Sequence, residues 1–133
     1  MEGLINRKFR LTKRTDFERV RREGTSYAHP LIVLVACRSE VSPEQAAPEN
    51  GPNETPERLR IAVAAGKSIG NAVARNYAKR RMREAIRPLI AYMVTGWDLL
   101  FLARRPQQKA DFEALQHAVK TVLRRAKLLK ETR

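Results

Sequence analysis

Asn76, Arg80, Arg83 and Arg87 follow each other at steps of four, three and four within the stretch 64–88, AAGKSIGNAVARNYAKRRMREAIRP. At about 100° per residue of α-helix they form one stripe, with Lys79 at its edge and Arg75 further round on that side. Residues 66–88 hold seven Lys or Arg (Lys67, Arg75, Lys79, Arg80, Arg81, Arg83, Arg87) against the single acid Glu84. A solvated charged surface usually mixes the two signs, and this one does not. Like charges one turn apart oppose an isolated helix by roughly a few tenths of a kcal/mol per pair. A polyphosphate outside the chain is the partner that would offset them. Ala78, Met82, Ala85, Ile86 and Leu89 form a second stripe roughly opposite. One face is therefore expected to dock on a core while the other holds a rigid row of cations.

Residues for autonomous bond-breaking chemistry are sparse. Gly66-Lys67-Ser68 invites comparison with a nucleotide-binding phosphate loop, but that motif needs a glycine where Ile61 stands. What survives is an anion site at the start of the helix, where backbone N–H groups lie beside Lys67. A metal-dependent nuclease needs clustered carboxylates, and outside residues 39–57 only nine acids remain, none at ligand spacing. Glu84, among arginines, is expected to hold them in place as an ion-pair partner. His29, before a proline, and His117 have no evident partner as base or ligand and are read as structural or exposed. Cys37 is alone, so no disulfide or cysteine metal site forms within the chain; it reads as a small core residue.

The elements that must position the basic helix follow in chain order. The length, 133 residues, suits one domain around one core, and a hydrophobic fraction of 43% is enough to fold it. Residues 1–14 form an extended basic arm. Thr15 and Glu18 have capping-box spacing and Gly24 is a natural stop, so Asp16–Glu23 is a short helix. On it Phe17 is either a core anchor or a base-stacking platform. Leu31–Cys37 is a buried strand. Residues 39–57 hold five Glu, four of the seven prolines and no Lys or Arg, and read as an acidic loop insertion. That loop carries −5, which leaves +18 on the rest of a chain whose total is +13. Residues 59–65 alternate as a strand and should pair with the first as a hairpin. Pro88 ends or kinks the basic helix near Arg87. Trp97–Ala103 is a third strand. Asp111 caps a last helix, with Phe112, Leu115, Val119, Val122 and Ala126 on one face. The order α-β-β-α-β-α predicts a single α/β sandwich, an α+β domain with helices packed on a small sheet. The charge points to a nucleic-acid partner. The start lacks a signal peptide and no apolar run would span a bilayer, so a cytoplasmic protein without a membrane partner is expected.

Arg75-Asn76, Lys79-Arg80 and Arg83-Glu84 reproduce the RN-x-x-KR-x-x-RE signature of the bacterial ribonuclease P protein subunit. Lys67 with Gly70-Asn71-Ala72-Val73 resembles that family's approach to the helix. Arg10-Leu11, Lys13, Asp16-Phe17, Val20 and Gly24 resemble its N-terminal pattern, and Asp98 to Arg105, DLLFLARR, its third strand. The resemblance runs from Arg10 to Leu129 apart from the acidic loop.

The resemblance implies the same element order, with a left-handed βαβ crossover around the signature helix. It implies a non-catalytic cofactor protein for a catalytic RNA that removes 5′ leaders from precursor tRNA. Magnesium would be held mainly by the RNA, none tightly by the protein, and DNA would be no partner. Arg75, Asn76, Lys79, Arg80 and Arg83 should contact the catalytic RNA, with Lys67 nearby. Arg10, Lys13 and Phe17 should line a cleft for the single-stranded leader, where an aromatic ring can stack on an unpaired base. Arg21 and Val35 stand where family members often place aromatics, so the leader grip here should rest more on charge. The rival readings are a general or ribosomal RNA-binding protein without a role in cleavage, and a standalone nuclease.

Overall fold

The computed structural model describes residues 14–39 and 59–130. The arm 1–13, with Arg10 and Lys13, and the acidic loop beyond Ser39 lie outside them. Helix α1 (Arg14–Glu23) begins two residues earlier than expected, with Arg14 and Glu18 3.5 Å apart across one turn. It stops at Gly24, whose N–H donates to the Val20 carbonyl at 2.8 Å. A Cβ on Gly24 would lie 2.5 Å from that carbonyl oxygen and 2.7 Å from Val35 Cγ1. Only glycine lets α1 rest so closely on the sheet. Gly24→Ala is therefore expected to destabilise the fold by about 1–3 kcal/mol, as overpacking does. Urea unfolding checks this: the midpoint should fall while the slope stays constant.

Four strands follow in the sheet order β1-β2-β4-β3: β1 (Thr25–Ala28), β2 (Ile32–Arg38), β3 (Leu59–Ala64) and β4 (Trp97–Ala103). Two features differ from the sequence reading. The short edge strand β1 was absent from the expected order; its four residues TSYA carry too brief a pattern to announce a strand. The expected hairpin between β2 and β3 does not form. β4 lies between them, antiparallel to β2 and parallel to β3. A long connection, unlike a tight turn, does not force its two strands to be neighbours, so a third can insert. The β1–β2 turn is closed by His29, whose Nδ1 accepts from the Leu31 N–H at 3.0 Å. Burial, with Arg125 and His117 nearby, holds the His29 pKa below its usual value, in keeping with a neutral structural acceptor.

Alternation along the strands splits the interior in two. Ile32, Leu34, Ile61, Leu99 and Phe101 face α2 (Ala72–Ile86) and α3 (Phe112–Arg125). Val35, Cys37, Ala62 and Leu100 face the other way, where α1 contributes Val20. One short helix cannot cover that second face, and Phe17, Val33, Ala64 and Leu102 stay half-buried along it. α3 is capped as expected, Asp111 Oδ1 accepting from the Ala114 N–H at 2.8 Å. Its expected apolar face is corrected at one end: Phe112 remains 39% exposed.

Candidate nucleic-acid interface

The basic helix begins at a shaped turn. A 3-10 turn at Lys67–Ile69 leads to Gly70, whose φ of 140° lies in the region that glycine alone adopts readily. Asn71 then caps α2, its Oδ1 accepting from the Ala74 N–H at 2.9 Å. No acid occupies the first turn, so the positive end of the helix dipole is left unopposed, with Lys67 exposed on the turn before it. At the other end Pro88 sits at the start of a 3-10 continuation, Arg87–Tyr92, where its missing N–H costs nothing.

Ala78, Met82, Ala85 and Ile86 are buried, which fixes the rotation of α2 about its axis. Two tethers add to this. Arg81 donates to the Gln107 carbonyl at 2.9 Å and the Ala110 carbonyl at 2.6 Å, and Gln108 Nε2 donates to the Ile69 carbonyl at 2.6 Å. Arg81, one of the seven cations of this stretch, is thus turned to the protein. Asn76, Arg80 and Arg87 point to solvent, while Arg83 within the stripe and Lys79 at its edge are half-buried. Arg87 Nη2 lies 3.2 Å from Glu84 Oε1, the expected ion pair. Arg75 is more enclosed than its wheel position suggested: it is half-buried, and its Nε is buried without a hydrogen-bond partner.

Phe17 is not brought to this stripe. It packs on the opposite face of the sheet, half-buried with Val33, Ala64 and Leu102 around the floor of Val35, Ala62 and Leu100. Arg21 is exposed, whereas Val35 is buried under α1.

A buried cluster of charges, which no helical or strand period announces, holds α1 there. Asp98, fully buried in β4, accepts from Arg60 at 3.0 Å (Nε to Oδ1) and 2.8 Å (Nη2 to Oδ2). It also accepts from Ser39 Oγ at 2.8 Å and from Arg19 Nη2. Arg19 Nη1 reaches on to the Arg38 carbonyl at 3.0 Å and Cys37 Sγ at 3.1 Å. Cys37 is buried as expected, but as part of this polar clamp. Burial alone would raise the Asp98 pKa; the hydrogen bonds from Arg60 and Ser39 and the charges of Arg60 and Arg19 outweigh it and lower it. The clamp ties α1 to β2, β3 and β4, and so holds Phe17 over the sheet face beside α1. A lone acid in an apolar strand was the available signal, since a buried carboxylate demands a cation. Among the described residues no group of three or more His, Cys, Asp or Glu comes together to hold a metal ion.

A profile of the Ribonuclease P family matches residues 5–127. The chain belongs to that family. A ribonuclease P protein component from Herpetosiphon aurantiacus is 36% identical over 124 residues, covering 93% of this chain and 89% of the relative. One from Brevibacillus brevis is 32% identical over 127 residues, covering 96% and 90%. The solved RNase P protein of Staphylococcus aureus superposes with a TM-score of 0.72 at 25% identity, over 92% of this chain and 98% of that one. The RNase P protein of Thermotoga maritima, at 22% identity and a TM-score of 0.69, shares the fold over 87% of this chain and 98% of its own. A ribonuclease P protein component is part of an endoribonuclease, and the chain is of that kind.

Proposed function

We propose that this protein is the subunit that binds the catalytic RNA of a bacterial ribonuclease P and the 5′ leader of precursor tRNA, promoting 5′ maturation. The observation that carries the reading is the α2 stripe. Arg80 and Asn76 are exposed on a helix whose opposite face, Ala78, Met82, Ala85 and Ile86, is locked into the core. Arg75, Lys79, Arg80 and Arg83 place cations against the RNA backbone, Asn76 offers an amide donor and acceptor, and Lys67 adds a cation at the helix start. A row of fixed cations lowers the repulsion between two RNA molecules that must meet, and it displaces their counterions. Phe17 and, from the arm, Arg10 and Lys13 hold the single-stranded leader along the sheet face that α1 leaves uncovered. The RNA cuts the phosphodiester bond, using magnesium that it holds itself; this chain's residues bind and orient. Among the described residues no helix is long and apolar enough to cross a membrane, which suits a cytoplasmic partner of RNA.

Reconstitution tests the reading. The protein is mixed with a bacterial ribonuclease P RNA and a precursor tRNA at physiological magnesium, and mature 5′ ends are counted. Cleavage is expected to be several-fold faster than with RNA alone. Binding to the RNA without acceleration would leave only a general RNA-binding role.

A further inference from the structure

Between α2 and the start of α3 runs a groove of about 440 Å³ that the cationic stripe does not account for. Tyr77, Arg80, Arg81 and Glu84 line it from α2, and Asp111 and Phe112 from α3. Two aromatic rings are left in the open there. Tyr77 is 59% exposed and Phe112 39%, and these are half of the four large hydrophobic side chains exposed among the described residues. The volume is within the roughly 300–1,000 Å³ of small-molecule sites.

The charge differs from that of the stripe. Two guanidiniums face two carboxylates, so the groove is balanced and has no surplus to attract a phosphate. Arg81 stands 5.7 Å from the centre of the Tyr77 ring and is pinned by the Gln107 and Ala110 carbonyls, which steadies the ring. Open aromatic faces with carboxylate acceptors beside them suit a flat, neutral ligand bearing N–H donors. Arg80 belongs to both surfaces, and by wheel position Tyr77 and Glu84 continue round the helix directly from the stripe. A strand whose backbone lies on Arg80 would place its next base over the groove.

We propose that this groove takes one unpaired nucleobase of the catalytic RNA, stacked on Tyr77 and Phe112 with Glu84 and Asp111 accepting from its N–H groups. The inference rests on the RNA-binding function above and adds a base-stacking site to its phosphate contacts.

The test titrates the full-length protein against a bacterial ribonuclease P RNA over a series of salt concentrations, using Tyr77→Ala, Phe112→Ala, Tyr77→Phe and Arg80→Ala. Each aromatic-to-alanine change is expected to weaken binding about tenfold without altering the slope against log salt. Tyr77→Phe should bind as the unaltered protein does, and Arg80→Ala should lower the slope by about one. Ultraviolet irradiation of the unaltered complex should join Tyr77 or Phe112 to a base outside any helix. Thermal melts establish that the variants fold, and the largely exposed Tyr77 carries the test if Phe112→Ala does not. Alanine variants that bind as tightly as the unaltered protein overturn the groove site while the stripe stands. So does a Tyr77→Phe variant as weak as Tyr77→Ala. An unaltered protein that fails to bind the RNA overturns the functional reading, and the groove site with it.

Discussion

Asp98→Ala is expected to destabilise the protein by about 3–5 kcal/mol, the scale seen when one partner of a buried ion pair is removed. The native carboxylate is fully buried, and the Arg19 and Arg60 side chains that meet it are only 10% and 12% exposed. Without it the Arg19 and Arg60 guanidiniums lose the buried carboxylate that lies between them, and the Ser39 hydroxyl loses its acceptor. Against a total stability of roughly 5–15 kcal/mol for a domain, that loss removes between about a fifth and all of the margin. Chemical unfolding monitored by circular dichroism reads the change; a shift under about 1 kcal/mol would show that the clamp is not what holds α1 on the sheet.

The same carboxylate sets an acid limit. Its folded pKa is held below the ordinary 3.8, so the unfolded state binds the proton more readily. The stability it contributes is complete above that ordinary value and is lost as pH falls through the lowered folded value. Asp98→Asn keeps the shape and removes the titration. The stability gap between the unaltered protein and Asp98→Asn should therefore narrow as pH drops below about 4.

The largest effect on function is expected from Arg80→Ala combined with Arg83→Ala. Two cations leave the stripe while the buried face of α2 stays intact. Stability should change by about 1 kcal/mol or less, mostly through lost packing of the half-buried Arg83 stem. Affinity for the catalytic RNA should fall by one to two orders of magnitude at moderate salt. The dependence of log affinity on log salt should flatten by about 1.4–1.8, the polyelectrolyte contribution of two phosphates. A filter-binding series across salt separates the outcomes. A uniform loss with unchanged slope would mean that these side chains act through the fold and do not meet phosphate. An unchanged affinity would remove the stripe from the interface.

Much of this was legible locally. A step of four, three and four places Asn76, Arg80, Arg83 and Arg87 together on any α-helix, and the Ala78–Met82–Ala85–Ile86 set opposite decides which way they point. The Asp111 cap, the stop at Gly24 and the end of α2 near Pro88 likewise depend on neighbours within one turn. Sequence therefore determined the helices, three of the four strands, the orientation of the cationic row and, through RN-x-x-KR-x-x-RE, the family. Only the tertiary structure decided the rest. That β4 would enter between β2 and β3 depends on competition among strands far apart in the chain. Asp98 announced that it needed a cation, but 27 Lys and Arg were available. Arg60 was selected because the parallel register sets it beside Asp98, and Arg19 because α1 crosses that end of the sheet. Arg81 turns inward and Phe112 stays outward for a similar reason: each direction is set by a partner element that no helical period can locate. Periodicity reports which faces differ in polarity, whereas pairing and burial arise from contacts whose energies exist only once distant segments have met.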